Sequence, residues 1–439
     1  MKVLLVRPEI PNLFKYANLI TSEPLELEYL YTEIIALGYT AMIFDGVFEK
    51  KEYAKVLEEF GPDLVAITGY ITQENLVKTY AIEAKKHNPN VLTVVGGVHV
   101  QLNPDRFKVT GVDYIFRSES MKAFSEFVDA IAYGKSTFEP INGLMYKNMD
   151  DWIENELLPT EINELRIPDR SHFYAHMEWY NYLDLSSVAT IKTSFSCPHN
   201  CNFCYCTKLG GGVYNARNLD LVIEELEGLK TDNILIVDDD FLADISRTHQ
   251  FVRRVKESGL KKNYICYARA DDVAENPELI NDMAEIGFKY FIVGLEAITD
   301  VDLKNYDKMT TEDINRRCIE NIHATSAEVI ALMMISNRAT RDDFKDLYKW
   351  AKKNKLIYTT VSIFTPIPGT PLYEMHKEEI TSKKIEHWDF LHLVLKPKNM
   401  NKFQFYFHFI LLSYKLYRLG KQSGGFQFTR KNKKSDQIV

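Results

Sequence analysis

The first third of the chain alternates short apolar runs with amphipathic stretches. Residues 2–6 (Lys2 to Val6) form an almost continuous apolar run, as in a parallel strand buried on both faces. From Pro24 to Leu37 apolar residues return at helical spacing (Leu27, Leu30, Tyr31, Ile34, Ile35), and Gly38 follows as a helix stop. Ala41 to Asp45, Asp63 to Thr68, Val91 to Val95 and Asp113 to Phe116 read as further strands, with a helical stretch near 73–87. This pattern predicts an α/β unit with a doubly wound parallel sheet of flavodoxin-like (Rossmann) type. Such sheets bind ligands beyond the carboxyl ends of their strands.

A second alternating series begins near residue 186. Leu219 to Leu229, Ser246 to Ser258 and Glu278 to Ile286 have helical spacing, the last closed by Gly287. Val188 to Ile191, Ile234 to Val237, Tyr264 to Arg269, Tyr290 to Glu296, Ile330 to Ile335 and Tyr358 to Ile363 read as strands. The series predicts a partial (β/α)6 TIM barrel with its site at the C-terminal strand ends. Residues 146–185 read as a linker with a polar turn at Asn148 to Asp151, and the aromatics of Phe173 to Tyr182 are expected to pack between domains.

Beyond residue 375 the alternation stops. Trp388 to Lys396 and Asn401 to Leu419 read as helices, with Gly420 as a stop. The second is rich in aromatics and falls short of a clean membrane span. It reads first as a helix packed on the barrel and second as an interfacial helix beside a lipid substrate. The tail after Gly424, with Arg430, Lys431, Lys433 and Lys434, reads as disordered. The expected division is 1–145, 146–185, 186–375 and a helical extension at 376–439.

Length supports this: 439 residues suggest two to three domains. A net charge of −8 argues against a nucleic-acid surface. The N-terminus runs straight into a strand without a signal-peptide pattern, and six cysteines in so long a chain are no disulfide framework. A reducing, cytoplasmic setting is expected. Cys266 and Cys318 stand apart and read as buried small hydrophobes.

Three thiols, Cys197, Cys201 and Cys204, sit at C-x3-C-x2-C spacing just after the first barrel strand. A cubane iron–sulfur cluster takes four ligands, so a tight triplet leaves one iron open to a substrate. The plainer reading is a zinc knuckle with Cys206 or His199 as fourth ligand, in a zinc-stabilised binding protein. Arg269 and Glu296, where two strands run out, have the charges to meet a zwitterion. The alternative for this pair is a mutual structural ion pair.

The cysteine spacing, with Phe203 before the third thiol, resembles that of the radical SAM enzymes. That resemblance implies a [4Fe–4S] cluster on Cys197, Cys201 and Cys204. The open iron would take S-adenosylmethionine (SAM), which one electron cleaves to a 5′-deoxyadenosyl radical. It further implies that Phe203 packs by the adenine and that Arg269 and Glu296 contact SAM. Among Asp238, Asp239 and Asp240, the match makes Asp240 a SAM contact and leaves the others to cap the next helix.

The N-terminal order resembles the cobalamin-binding domain of B12-dependent radical SAM proteins: a strand ending at Pro8, Pro24 to Leu27, Pro62 to Val65, and Gly96-Gly97-Val98-His99. It implies cobalamin near Pro8, Thr68, Gly96, Gly97 and His99. His99 also reads as a loop histidine closing a turn. The Asp-x-His-x-x-Gly motif that supplies histidine to cobalt elsewhere is absent. The chain has Ser118-Glu119 where many relatives carry Gly-Glu, and Glu26 where they carry Gly. Thr365 to Tyr373 resembles the Pro-Gly-Thr signature of this branch. The glycines missing after Met334 are similar to those of the hopanoid C-3 methylase-like group.

The activity implied is methyl transfer from methylcobalamin to an unactivated carbon of a lipid or secondary metabolite, with the rival a radical cyclase or rearrangement enzyme. The partners implied are that small-molecule or lipid substrate and an electron donor such as flavodoxin or ferredoxin. Membrane contact would come through the C-terminal helix. No catalytic side chain is singled out.

Overall fold

The computed structural model describes residues 1–10, 20–135, 137–149, 151–159, 162 and 165–426. The first sheet has seven strands in the order Thr40–Asp45, Lys2–Arg7, Leu64–Thr68, Leu92–Gly96, Tyr114–Phe116, Leu144–Asn148, Asp151–Glu154. The first five are parallel and follow the flavodoxin-like order. Val3, Leu4, Leu5 and Val6 are fully buried because helices cover both faces: Leu25–Ala36 and Met121–Ala132 on one, Tyr53–Phe60 and Glu74–His87 on the other.

The hairpin Leu144–Asn148/Asp151–Glu154 corrects the expected boundary at 145. It pairs antiparallel with Tyr114–Phe116, so residues read as linker are the edge of the first sheet. The polar turn that suggested a connector is the tip of that hairpin.

The second sheet has six parallel strands in order, Ala189–Ile191, Asn233–Ile236, Asn263–Arg269, Phe288–Glu296, Glu328–Ile335 and Tyr358–Ile363. Its first and last strands do not pair, so the barrel is partial. Cys266 and Cys318 are fully buried in its core.

Two devices join the halves. Phe48 of the first unit packs against His172, His176, Trp179 and Tyr180, as expected of the aromatic connector. Beneath it Arg170, almost fully buried, meets three carboxylates: Glu23 at 2.9 Å, Glu28 at 3.1 Å and Glu225 at 2.7 Å. Glu23 and Glu28 belong to the first unit and Glu225 to the barrel helix Leu219–Gly228. Burying carboxylates without such a cation would be costly.

The C-terminal piece differs from expectation. Trp388 to Lys396 is not helical; Trp388, Val394 and Leu395 fill a small core of their own with Leu303 and Phe364. The final helix is Lys402–Gln422 and runs through Gly420. A Cβ there would lie 2.1 Å from the carbonyl oxygen of Ile357. The glycine is a point of close approach, not a stop. Of the tail read as disordered, Phe426 packs against Tyr358 and Tyr417, and residues 427–439 lie outside the described residues.

Candidate active site

The cysteines stand on the loop between Ser194–Phe195 and Asn215–Ala216, above the first barrel strand. Asp238 fixes its base: it accepts hydrogen bonds from the Thr193 amide and hydroxyl (2.5 Å each) and from the Ser194 hydroxyl (2.8 Å). The Thr365–Tyr373 loop backs it from behind. There the Leu372 amide donates to the Asn202 carbonyl (3.1 Å) and Lys208 donates to the Gly369 carbonyl. Cys197, Cys201 and Cys204 are all half-buried. Burial pushes the Cys197 thiol up to about 12 and raises Cys201, which Lys308 and Arg269 partly counter. A hydrogen bond from Cys206 lowers Cys204, and the same contact raises Cys206. Thiols raised by burial become thiolates when a metal displaces their protons.

Among the described residues, the only trio of donor atoms all within 4.8 Å of one another is Cys197, His199 and Asp240. The three cysteine sulfurs are spread more widely than that. One zinc would need them about 3.8 Å apart, given Zn–S bonds of about 2.3 Å. The wider spread suits a cluster, and Cys206, which hydrogen-bonds the Cys204 thiol, also lines the cavity described below.

The residues expected to meet SAM gather around this loop. Arg269 ends the strand Asn263–Arg269; its Nη1 donates to Cys201 Sγ (3.4 Å) and its Nη2 to Asp271 (2.8 Å) and the Lys308 carbonyl (2.9 Å). Glu296 ends Phe288–Glu296 at φ 62°, a strained conformation for a side chain-bearing residue. Its carboxylate lies 3.4 Å from Lys308 Nζ. Arg269 and Glu296 thus do not pair with each other; both meet Lys308, one at its carbonyl and the other at its ammonium. A Cβ on Gly294 would strike that carboxylate at 2.4 Å. Phe203 meets Tyr306 edge-on, with Lys308 Nζ 5.9 Å from its ring. Asp240 Oδ2 is buried without a hydrogen-bond partner, facing His199 at 3.5 Å. Neither Asp238 nor Asp239 caps the next helix; Asp244 does, accepting from the Arg247 amide. An anion at Glu296, cations at Arg269 and Lys308 and an orphaned carboxylate oxygen on Asp240 fit a bound zwitterion with ribose hydroxyls.

Behind the loop a cavity of about 580 Å³ opens between the two sheets' carboxyl ends. Thr68, Gly69, Tyr70, Gly96, Gly97, Gln101 and Glu119 line one side; Lys192, Phe195, Tyr205, Cys206, Asp239 and Tyr267 line the other. Gly97 has φ 95°, and a Cβ there would lie 2.4 Å from Thr68 Oγ1. The floor is therefore bare backbone. Glu119 Oε2 and Asp239 Oδ2 are buried with no hydrogen-bond partner. Bare backbone and unfilled acceptors fit a corrin with its rim of amide donors.

Two expected contacts, Pro8 and His99, lie off this wall. The Pro8 carbonyl accepts from Gln73 (2.8 Å). His99 is buried with its Nε2 2.8 Å from Glu74, which Arg106 and Lys78 also hold. His99 stands in the short helix Val98–Leu102, not in a turn, and its contact with Glu74 ties that helix to Glu74–His87. Among the described residues, no histidine lines the cavity.

Sequence reasoning missed Lys192, Glu119 and Asp239 as a group. Lys192 Nζ sits 4.5 Å from the Phe195 ring centre. Burial pulls its ammonium down, but Glu119 and Asp239 outweigh that and raise it. Burial raises the Glu119 carboxyl. The available signal was a lone lysine just past a buried strand, next to the cysteine loop. Lys308 had no comparable signal.

Residues 191–351 match the family model of the radical SAM superfamily, and residues 22–128 that of the B12 binding domain. An uncharacterized methyltransferase of Pyrococcus horikoshii is 29% identical over 388 residues, covering 85% of this chain and 83% of its own. Hopanoid C-3 methylase of Methylococcus capsulatus is 23% identical, covering 95% and 80%. Anaerobic magnesium-protoporphyrin IX monomethyl ester cyclase of Cereibacter sphaeroides is 24% identical, covering 86% and 64%. The cobalamin-dependent SAM radical enzyme OxsB, solved with aqua-cobalamin and SAM bound, shares the fold at TM-score 0.67 and 16% identity. That match takes in 86% of this chain and 55% of OxsB. The chain thus carries a B12 binding domain leading into a cysteine-bearing radical SAM domain.

Proposed function

We propose that the protein is a cobalamin-dependent radical SAM methyltransferase acting on an unactivated carbon of a lipid or other small-molecule substrate. The observation that carries this reading is the shared cavity. The bare backbone at Gly97 and the back of the cysteine loop enclose one space, so a carbon held there meets both modules. When bound, the cluster with SAM supplies a hydrogen-abstracting adenosyl radical and cobalamin supplies the methyl group. Arg269, Glu296 and Lys308 orient the zwitterion. Glu119 and Asp239 accept from the corrin's amides, Lys192 offers a substrate a polar contact, and the aromatic wall of Phe195, Tyr205 and Tyr267 keeps water out.

The reading assigns 1–154 to the cobalamin module, 155–185 to the connector and 186–375 to the radical module. It includes an electron donor such as flavodoxin or ferredoxin and a reducing, cytoplasmic setting, which the six free cysteines favour. A second reading, radical ring formation, is favoured by the cyclase relatives.

The test is anaerobic reconstitution with iron, sulfide and cobalamin, followed by a chemical reductant such as dithionite and SAM deuterated in its methyl group. The expected result is 5′-deoxyadenosine together with deuterated methyl on the bound cobalamin. 5′-Deoxyadenosine with no label on cobalamin would favour ring formation. Zinc as the only bound metal would overturn both readings.

A further inference from the structure

The helix Lys402–Gln422 is apolar on two opposite sides. Phe405, Phe409, Leu412 and Leu416 are buried against the barrel. Phe403, Phe407, Ile410, Tyr414 and Tyr417 follow at steps of four, three, four and three residues and form a second stripe on the outer face. Phe403 is 82% exposed, Ile410 64%, Phe407 and Tyr414 56% each and Tyr417 40%. The stripe is about 21 Å long at 1.5 Å per residue. It exposes on the order of 600 Å² of aromatic and aliphatic surface, as large as the biggest patch on an ordinary monomer.

Charge says what covers it. Residues 390–435 contain ten lysines and arginines and no aspartate or glutamate, in a chain whose net charge is −8. Lys402 and Lys421 bracket the stripe at its two ends, and Lys415 and Arg418 flank it. Arg418 lies 6.0 Å from the ring centre of Tyr414. A second copy laid face to face would bring like charges together. A flat anionic lipid surface takes both features at once: rings seat at the boundary between headgroups and acyl chains, and cations meet the phosphates. No described helix is long and apolar enough to cross a membrane, so contact of this kind lies in the interface plane. We infer that the outer face of Lys402–Gln422 docks the protein on anionic membrane surfaces. This extends the lipid side of the proposed function but needs no cofactor and no turnover, so the two fail separately.

The test is co-sedimentation of the full chain with vesicles of phosphatidylcholine alone or with added phosphatidylglycerol. The expected result is binding to the anionic vesicles that weakens as salt rises. The triple variant Phe403→Ser, Phe407→Ser, Ile410→Ser should lose at least roughly tenfold in binding with its melting temperature unchanged, since all three side chains face outward. Lys415→Gln with Arg418→Gln and Lys421→Gln should erase the preference for anionic lipid. No binding to either vesicle, or equal binding by the triple serine variant, would overturn the inference. So would a soluble dimer of the wild type that the serine variant abolishes, because the occupant would then be a second copy.

Discussion

Arg269 Nη1 lies 3.4 Å from the sulfur of Cys201, while Asp271 and the Lys308 carbonyl fix the other edge of the guanidinium. A cation that donates to a ligand sulfur stabilises the more negative, reduced cluster. Arg269→Gln is expected to lower the reduction potential of the reconstituted cluster while iron content holds. Redox titration followed by electron paramagnetic resonance checks this. An unchanged potential would leave Arg269 as a structural partner of Asp271.

Cys206 touches Cys204 through its backbone amide, 3.5 Å from the Cys204 sulfur, and through its thiol, which also lines the cavity. Cys206→Ala keeps that amide. It should therefore hold about four irons like the wild type. Alanine at Cys197, Cys201 or Cys204 should abolish SAM cleavage. Iron loss in Cys206→Ala as severe as in Cys201→Ala would refute the three-thiolate assignment.

Arg170→Met would strand Glu23 and Glu28 in the seam between modules, while Glu225 keeps Arg217 at 2.7 Å. Breaking a buried ion network costs about 3–5 kcal/mol. Urea unfolding is expected to show that loss, with proteolysis near residue 170 appearing at lower urea than in the wild type. A loss under about 1 kcal/mol would mean the seam relaxes to admit water.

His172 packs against Phe48 with its Nε2 3.1 Å from the Tyr180 hydroxyl. Burial pushes it down from 6.5 to about 4, with His176 and Arg7 adding to the fall and Asp45 and Glu49 opposing it. The unfolded chain takes up this proton as pH falls through 6.5, the folded chain only near 4. The stability His172 contributes is therefore full above 6.5 and declines from there towards 4. His172→Gln should flatten the drop in unfolding midpoint of the metal-free protein between about pH 7.5 and about pH 5. Equal slopes in both proteins would assign the drop to other groups.

Gly420→Ala places a Cβ 2.1 Å from the Ile357 carbonyl and 2.7 Å from the Phe426 ring. The final helix would have to lift from the barrel, at a cost of about 1–3 kcal/mol. Hydrogen exchange should quicken along Lys402–Gln422 and along Tyr358–Ile363. Gly38→Ala meets open space and serves as a control whose only penalty is its φ of 81°.

What could be read in the sequence were the features that local periodicity encodes. Buried parallel strands carry unbroken apolar runs, so Lys2–Arg7 and Phe288–Glu296 were found within a residue or two. The cysteine loop was visible because its spacing is itself the chemistry. Partner choice was not visible. Nothing near Arg269 in sequence says that Lys308 supplies its carbonyl, and nothing near His99 announces Glu74. Gly420 misled for a related reason. A glycine stops a helix or lets a neighbour approach, and only the position of Ile357 decides which. Trp388 to Lys396 has helix-like apolar spacing, yet its side chains are spent on a separate small core. The antiparallel edge Leu144–Asn148 was hidden by its polar turn, which resembles a linker as much as a hairpin.

The cation at Arg170 has a consequence for the order of assembly. Its three acidic partners come from two modules, and Arg170 itself comes from the segment between them. Glu225 keeps a second cation in Arg217 at 2.7 Å, but Glu23 and Glu28 cannot lose their water cheaply until the Arg170 guanidinium arrives, and the guanidinium cannot lose its own until they do. The seam therefore closes in one concerted event with no stable half-docked form. Because the cavity is bounded on both sides by what that event brings together, its shape comes into being at the same moment.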